Sequence, residues 1–558
     1  MTVLLLLLVI SAVFQTVCDD RDDSITVNLP FGSITGYSNG ESWEFYRIPY
    51  TDPPVGKLRW RPPKDFTPWT GNLDAKDPPP GCPQDCMTEP YACPTETSED
   101  CLYLNIFTPL KWTQDPQESY DVLVYIHGGA YFQGSASCPL LDSRFLSNHT
   151  DTIVVTLNYR LGALGFLKNF WHGIDGNMGI QDQRMAMQWV KKYISYFGGK
   201  GKITLFGESS GAMSVAVHMV SPLSKGLYDY VIMESNGWTL PYRSSGDAEL
   251  LGYQFIWRLG CVTIHCMQTK STNKILKAQE MKIAVTDSLN LLMEVMPWSP
   301  IIDGVQLTQQ PFVALMDMVS NKTLLPPQIV GTTTNEGFGF VKFVQRKLEI
   351  EQEYLYMIIL FGLFKFKSGD VEKLYNDLYK PPRTNPEYIQ RLSMIVGDYL
   401  FICPTRQYVR TVSEGDLIWS YIWSKPITYI SKKNACYNFA CHTAELPYVF
   451  GTVSLWGRQF SQEDKGLSEQ TQAYWGNFAH AGSPNSGTSE LQWPAYNTGE
   501  ASQMYFDTPN PSVTNNYKNK VCEMLDGIGY NRGEVFEDNY AENIPVHETE
   551  NKPRKEEL

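Results

Sequence analysis

Ser209 stands in Gly207-Glu208-Ser209-Ser210-Gly211, directly after the β-prone run 203–206 and ahead of a helix-compatible stretch, 212–220. A serine on a sharp strand-to-helix turn presents its hydroxyl on a strained bend, and glycines two positions to either side avoid the clash of bulkier side chains. The helix N-terminus adds positive partial charge beside the hydroxyl. That arrangement suits nucleophilic attack and a covalent intermediate. A serine hydroxyl is a weak nucleophile near neutral pH, so it needs a base, itself held by an acid.

The chain has eight histidines. In strand–turn–helix sites of this kind the acid and then the base follow the nucleophile, which leaves His442, His480 and His547. His547 lies in a polar tail with nothing rigid to hold it, and His480 sits where a helix reads as ending in a turn. His442, in Cys441-His442-Thr-Ala-Glu-Leu-Pro-Tyr-Val-Phe450, lies in a loop ahead of an apolar segment and is the favoured base. For the acid, Glu336 in Gly331-Thr-Thr-Thr-Asn-Glu-Gly337 and Asp303 in Ile301-Ile-Asp-Gly304 both remain open on residue type alone. An oxyanion hole needs N–H groups aimed at one point. The run 122–126 ends in His127-Gly128-Gly129-Ala130-Tyr131, where Gly129 and Ala130 offer two donors, and Ser210 offers a third.

The elements that must position these residues are short β-branched and aromatic runs at 122–126, 153–157, 203–206, 230–233 and 417–422. Apolar runs without alternation belong to a sheet buried on both faces, and helical patterns between them, such as 181–194, make that sheet largely parallel. Ligands of such sheets sit beyond the carboxyl ends of the strands. The 558 residues carry 46 Lys+Arg against 60 Asp+Glu, a net charge of −14, which leaves no basic field for nucleic acid. Hydrophobic residues at 43% supply a large core, and no linker or repeat divides the interior.

Residues 3–14 form a 12-residue apolar run, too short to span a bilayer but suited to a signal peptide ending near Cys18. The other apolar stretch, 354–366, reads as a buried helix, so no membrane span is expected. Twelve cysteines without zinc-site spacing, and sequons at Asn148 and Asn321, point to a secretory lumen. Residues 533–558 form a polar acidic tail ending in Lys555-Glu-Glu-Leu558, which resembles a KDEL-type address and implies a retrieval receptor of the endoplasmic reticulum, with plain secretion as the alternative.

The chain resembles the type-B carboxylesterase/cholinesterase family over nearly its whole length. The resemblance rests on Ser98-Glu-Asp-Cys-Leu-Tyr-Leu-Asn105, the His127–Ala130 loop, Asn158-Tyr-Arg-Leu-Gly-Ala-Leu-Gly-Phe166, Asn177-Met-Gly-Ile-Gln-Asp-Gln-Arg184, Phe206-Gly-Glu-Ser-Ser-Gly211 and His442-Thr-Ala-Glu-Leu-Pro-Tyr-Val-Phe-Gly451. It implies an α/β-hydrolase fold, a large mostly parallel sheet flanked by helices, as a single catalytic domain over residues 19–532. It also implies Ser209 as nucleophile, His442 as base and Glu336 as acid, with Asp303 in a turn before a short strand. Trp238 and Phe340 are expected at the acyl pocket, and disulfides at Cys82–Cys101, Cys261–Cys266 and Cys403–Cys522. Cys86–Cys93 and Cys436–Cys441 are further local pairs by proximity.

Ser210 and Ala130 stand where the family usually has Ala and Gly; both are small and keep their N–H donors. The implied activity is hydrolysis of small-molecule esters without cofactor or metal; the alternative is a catalytically marginal storage or adhesion protein. The loop 82–101 lacks the tryptophan that stacks on choline in cholinesterases, with Tyr91 as its weak substitute, so the chain resembles carboxylesterases rather than cholinesterases.

Overall fold

The computed structural model describes residues 23–115, 117–280, 291–348, 350–415, 417–485 and 491–530. The signal-like run 1–18, His547 and the tail 533–558 lie outside them. The first strands are β1 (Ser24–Leu29), β2 (Gly32–Ser38), β3 (Ser42–Pro49), β4 (Asn72–Asp74) and β5 (Tyr103–Pro109). Then come β6 (Tyr120–Ile126), β7 (Thr152–Leu157), β8 (Gly199–Glu208), β9 (Tyr230–Glu234), β10 (Gln328–Thr333), β11 (Ile418–Trp423), β12 (Ser502–Phe506) and β13 (Ser512–Asn515). All join one 13-stranded sheet in the order β1-β2-β3-β5-β7-β6-β8-β9-β10-β11-β12-β13, with β4 on β2. Every pairing from β7 to β12 is parallel. The outer pairings are antiparallel, apart from β4 beside β2.

The five runs read from the sequence correspond to β6, β7, β8, β9 and β11. Their lack of alternation has the expected cause, because each face of the sheet has its own core. Along β6, Val122, Val124 and Ile126 enter one hydrophobic cluster, while Leu123 and Tyr125 enter the other. β7, β10 and β11 are buried at every position. The helix expected at 181–194 is α1 (Met178–Tyr193), and the one after Ser209 is α2 (Ser210–Val220).

α3 (Gly337–Leu348) follows the β10 turn, and α4 (Gln352–Phe364) corresponds to the stretch expected to be a buried helix. It is only half buried. Leu355, Tyr356, Leu360 and Phe364 face the core, while Tyr354, Met357, Ile358 and Phe361 are exposed. A helix apolar on all sides gives no periodicity from which to tell its faces apart. Among the described residues no helix is long and apolar enough to cross a membrane.

The three disulfides that the resemblance implies form, as do Cys86–Cys93 and Cys436–Cys441; Cys138 is a buried free thiol. Asn321 is exposed at the end of the helix Pro311–Ser320. Asn148 is half-buried, and its Oδ1 accepts a hydrogen bond from the Leu110 N–H.

Candidate active site

β8 ends at Glu208, and Ser209 turns the chain into α2 at φ 57° and ψ −124°. A non-glycine residue pays of order 1–3 kcal/mol to stay in such a conformation and does so only where its surroundings over-determine it. Here the Ser209 N–H donates to Glu234 O of β9, and Ser209 O accepts from the Met213 N–H, both at 2.9 Å. A Cβ at Gly207 would lie 2.6 Å from the Gly211 carbonyl carbon, and one at Gly211 only 2.0 Å from Ile126 O. Both glycines are therefore set by the close passage of the turn against the end of β6.

The loop after β6 leans on the same turn. A Cβ at Gly128 would meet Glu208 O at 2.7 Å. Gly129, Ala130 and Tyr131 follow at φ 110°, 53° and 62°, and the Tyr131 N–H donates to Ser210 Oγ at 3.3 Å. Ala130 thus holds a left-handed position that suits glycine, at a cost its small side chain keeps modest. Among the described residues, the N–H groups of Gly129, Ala130 and Ser210 have no backbone acceptor. His127 stacks on Tyr159 at 4.5 Å and receives the Tyr159 hydroxyl on its carbonyl at 2.9 Å. Burial pushes its imidazole down to about 4, so it is a neutral strut of the loop.

Glu336 lies three residues beyond β10 and is fully buried. Its Oε1 accepts from the Thr333 N–H at 2.7 Å and the Ser235 hydroxyl at 2.6 Å; its Oε2 lies 2.5 Å from His442 Nδ1. A carboxylate at Nδ1 assigns the proton to that nitrogen and leaves Nε2 as the acceptor. Nε2 has no aligned hydrogen-bond partner: it is 3.1 Å from Glu208 Oε1, outside bonding direction for either atom, and no hydrogen bond joins it to Ser209. The fold thus brings the His442 ring against Glu208, the residue directly before Ser209, without a hydrogen bond between His442 and Ser209; such bonds are often open in a site without its substrate.

Glu208 was overlooked in the sequence, although it is the second residue of the Gly207–Gly211 motif. It belongs to a buried set. Glu234 takes the Trp475 indole N–H at 2.8 Å, and Glu445 takes the Tyr421 hydroxyl at 3.3 Å. Burial, with Glu336 nearby, pushes Glu208 well above the usual carboxyl range. Burial, partly offset by the Trp475 N–H, pushes Glu234 up to about 8, and burial with three neighbouring glutamates raises Glu445 strongly.

Phe340 and Phe401 each bring a ring centroid to 5.0 Å from the His442 ring, Phe401 from a π-helical turn at Asp398–Ile402. Trp238 stacks on Tyr408 at 4.3 Å and donates to Thr405 Oγ1. Tyr91 is stacked face to face on Trp456 at 4.0 Å, so one face is already occupied.

The rejected candidates have structural partners. His480 bonds Asp121 at 2.7 Å and Thr150 O at 2.8 Å; Asp121 is near the start of β6, the opposite end of the strand from the site. Asp303 follows the short strand Ile301–Ile302 rather than preceding one. Its Oδ1 gathers the N–H groups of Val305, Gln306 and Leu307, which makes it a turn residue.

A serine on a strand-to-helix turn, above a buried parallel sheet with helices on both faces, defines an α/β-hydrolase. The chain belongs to the carboxylesterase family, whose model matches residues 23–525, and it is accordingly a carboxylic-ester hydrolase. It is 34% identical over 547 residues to the cAMP-regulated D2 protein of Dictyostelium discoideum, covering 96% of this chain and 98% of that protein. It is 32% identical over 480 residues to para-nitrobenzyl esterase of Bacillus subtilis, covering 84% and 92%. A solved PNB esterase superposes with a TM-score of 0.74 at 31% identity, over 90% of this chain and 99% of that one.

Proposed function

We propose that Ser209, His442 and Glu336 act as one unit that cleaves carboxylic esters through an acyl-enzyme. His442 Nε2 takes the Ser209 proton as Oγ attacks the ester carbonyl. Glu336 holds the imidazole in the productive tautomer and stabilises its positive form. The oxyanion rests on the N–H groups of Gly129, Ala130 and Ser210. His442 then protonates the departing alcohol, and water repeats the sequence on the acyl group. The observation that carries this reading is the 2.5 Å contact between His442 Nδ1 and a fully buried Glu336, beside a serine held at φ 57°.

The test is kinetic. Ser209→Ala and His442→Ala are each expected to lower kcat for a short-chain aryl ester by about 10⁴-fold, and the double variant is expected to lose little more, because members of one unit are not additive. Full turnover in the Ser209 variant would mean that the nucleophile lies elsewhere, whereas negligible turnover of the unmutated chain would favour the storage or adhesion reading; the "Crystal protein" of Dictyostelium discoideum is 33% identical. The five disulfides among the described residues suit an oxidising compartment. On that basis we place the enzyme in the secretory pathway, with residues 1–18 as the signal, Asn148 and Asn321 as glycosylation acceptors and Lys555-Glu-Glu-Leu558 as the retention address.

A further inference from the structure

His442 is placed by a long irregular segment. From the end of β11 at Trp423 to His442 there is no further strand or helix, only turns and isolated bridges. Besides hydrogen bonds within the segment itself, four contacts near the base tie its last residues down. The Asn335 N–H donates to Ala440 O at 3.0 Å, and the Ala440 N–H returns a bond to Asn335 Oδ1 at 3.2 Å, which couples the loop of the acid to the loop of the base. Phe439 stacks on Phe338 at 4.3 Å. The fourth is the Cys436–Cys441 disulfide, whose second sulfur belongs to the residue directly before His442.

Thr443, directly after His442, sits at φ 76°, a conformation that a β-branched residue adopts only where its surroundings force it. The Ala444 N–H donates to Cys441 O at 2.9 Å, so Cys441 anchors both flanks of the strained residue. At the other end of the bridge, Cys436 Sγ lies against the first turn of α3, 3.9 Å from where a Cβ on Gly339 would be. α3 is also the helix that brings Phe340 to the His442 ring.

We propose that the Cys436–Cys441 disulfide is the positioning device of the base, and that a small dithiol switches the enzyme down by opening it. The proposal rests on the reading of His442 given above. A reagent thiolate attacks Cys436 Sγ, the half-buried sulfur, and the bond to the buried Cys441 breaks, so that Cys441 leaves as a thiolate and takes up a proton. The second reagent thiol closes on the mixed disulfide and releases Cys436. The dithiol loses two electrons to the bridge. Once Cys441 is free, the strain at Thr443 relaxes by turning the imidazole away from Glu336.

The experiment compares two double variants of the full chain, Cys436→Ser/Cys441→Ser and Cys261→Ser/Cys266→Ser, with His442→Ala as reference. Both bridges close rings of the same sequence separation, 5, so their loss frees the unfolded chain equally. Only the first borders the base. The first variant is expected to lose at least tenfold in kcat with KM within about threefold, since a displacement near 1 Å at a reacting group is enough for losses of about 100-fold. The second is expected to keep kcat within twofold.

On the unmutated protein, dithiothreitol titration with thiol mapping by mass spectrometry is expected to show activity falling in step with the opening of Cys436–Cys441 and returning on reoxidation. Unchanged kcat with that bridge open, while His442→Ala is inactive, overturns the positioning role alone. An active His442→Ala overturns the underlying assignment of the base. If the first variant does not fold, the titration decides by itself.

Discussion

The strained φ of 57° at Ser209 persists because Gly207 and Gly211 let the turn press against Ile126. Gly211→Ala places a Cβ 2.0 Å from a backbone oxygen that cannot move without distorting β6. It is expected to cost about 2 kcal/mol or more of stability and at least 100-fold in activity. Gly466→Ala, inside the helix Gln462–Ala481 with nothing within 4 Å, is expected to raise stability by about 0.5–1 kcal/mol and leave activity unchanged. Urea unfolding with a parallel esterase assay separates the two outcomes. At this scale the strand-to-helix turn of Ser209, the loop of His442 and the Gly129–Ala130 loop were legible because each is a local pattern of small or polar residues next to an apolar run. Glu336 came only through the family resemblance and not from its own residues, because a glutamate in a polar loop looks solvated until His442, 106 residues on, is folded against it. Glu208 was passed over because the motif reserves its position for any residue.

At the scale of elements, the site is where strand ends converge. β6 delivers the Gly129–Ala130 loop, β8 Ser209, β10 the loop of Glu336 and β11 the segment that ends in His442, the residues to which we assign the chemistry. Of these four strands the one that went unread is β10, a six-residue run after Pro326-Pro327, with a glycine and three polar residues among its six; its burial comes from β9 and β11 on either side, which no local pattern reports. The motifs 158–166 and 177–184 were recognisable without being explicable. Their role is structural, since Arg160 forms a buried ion pair with Asp182 at 2.7 Å, and Tyr159 braces His127. Glu234, at the end of β9, gives a pH prediction. Its carboxyl is raised to about 8 by burial, above its ordinary value of 4.5. The folded state therefore binds this proton more tightly than the unfolded chain does, and stability falls as pH rises from about 4.5 to about 8. Glu234→Gln keeps an acceptor for the Trp475 N–H and removes the ionisation. Its Tm, relative to the parent, is expected to be near equal at pH 5 and clearly higher at pH 8. Parallel melting curves at both pH values would show that Glu234 ionises without cost.

Across the whole molecule, five strands of the central parallel sheet were readable because strands buried on both faces leave continuous apolar runs; β10 and β12, with more polar residues, were not. The antiparallel strands β1 to β3 were not read, because short half-exposed strands with mixed composition carry little periodic signal. The exposed face of α4 was misjudged for the opposite reason, an excess of apolar residues on every side. Location is the property of the whole chain most open to direct test. Removing residues 555–558 is expected to shift the enzyme from the endoplasmic reticulum to the medium, read by activity in each fraction, and equal secretion of both chains would leave a plain secreted esterase.

The central claim, that one activated serine does the chemistry, is tested most directly by labelling. An organophosphate that mimics the tetrahedral intermediate is expected to add once per chain, to abolish esterase activity in proportion to incorporation, and to map to the peptide carrying Ser209. Incorporation elsewhere, or full labelling of a Ser209→Ala variant, would contradict the account.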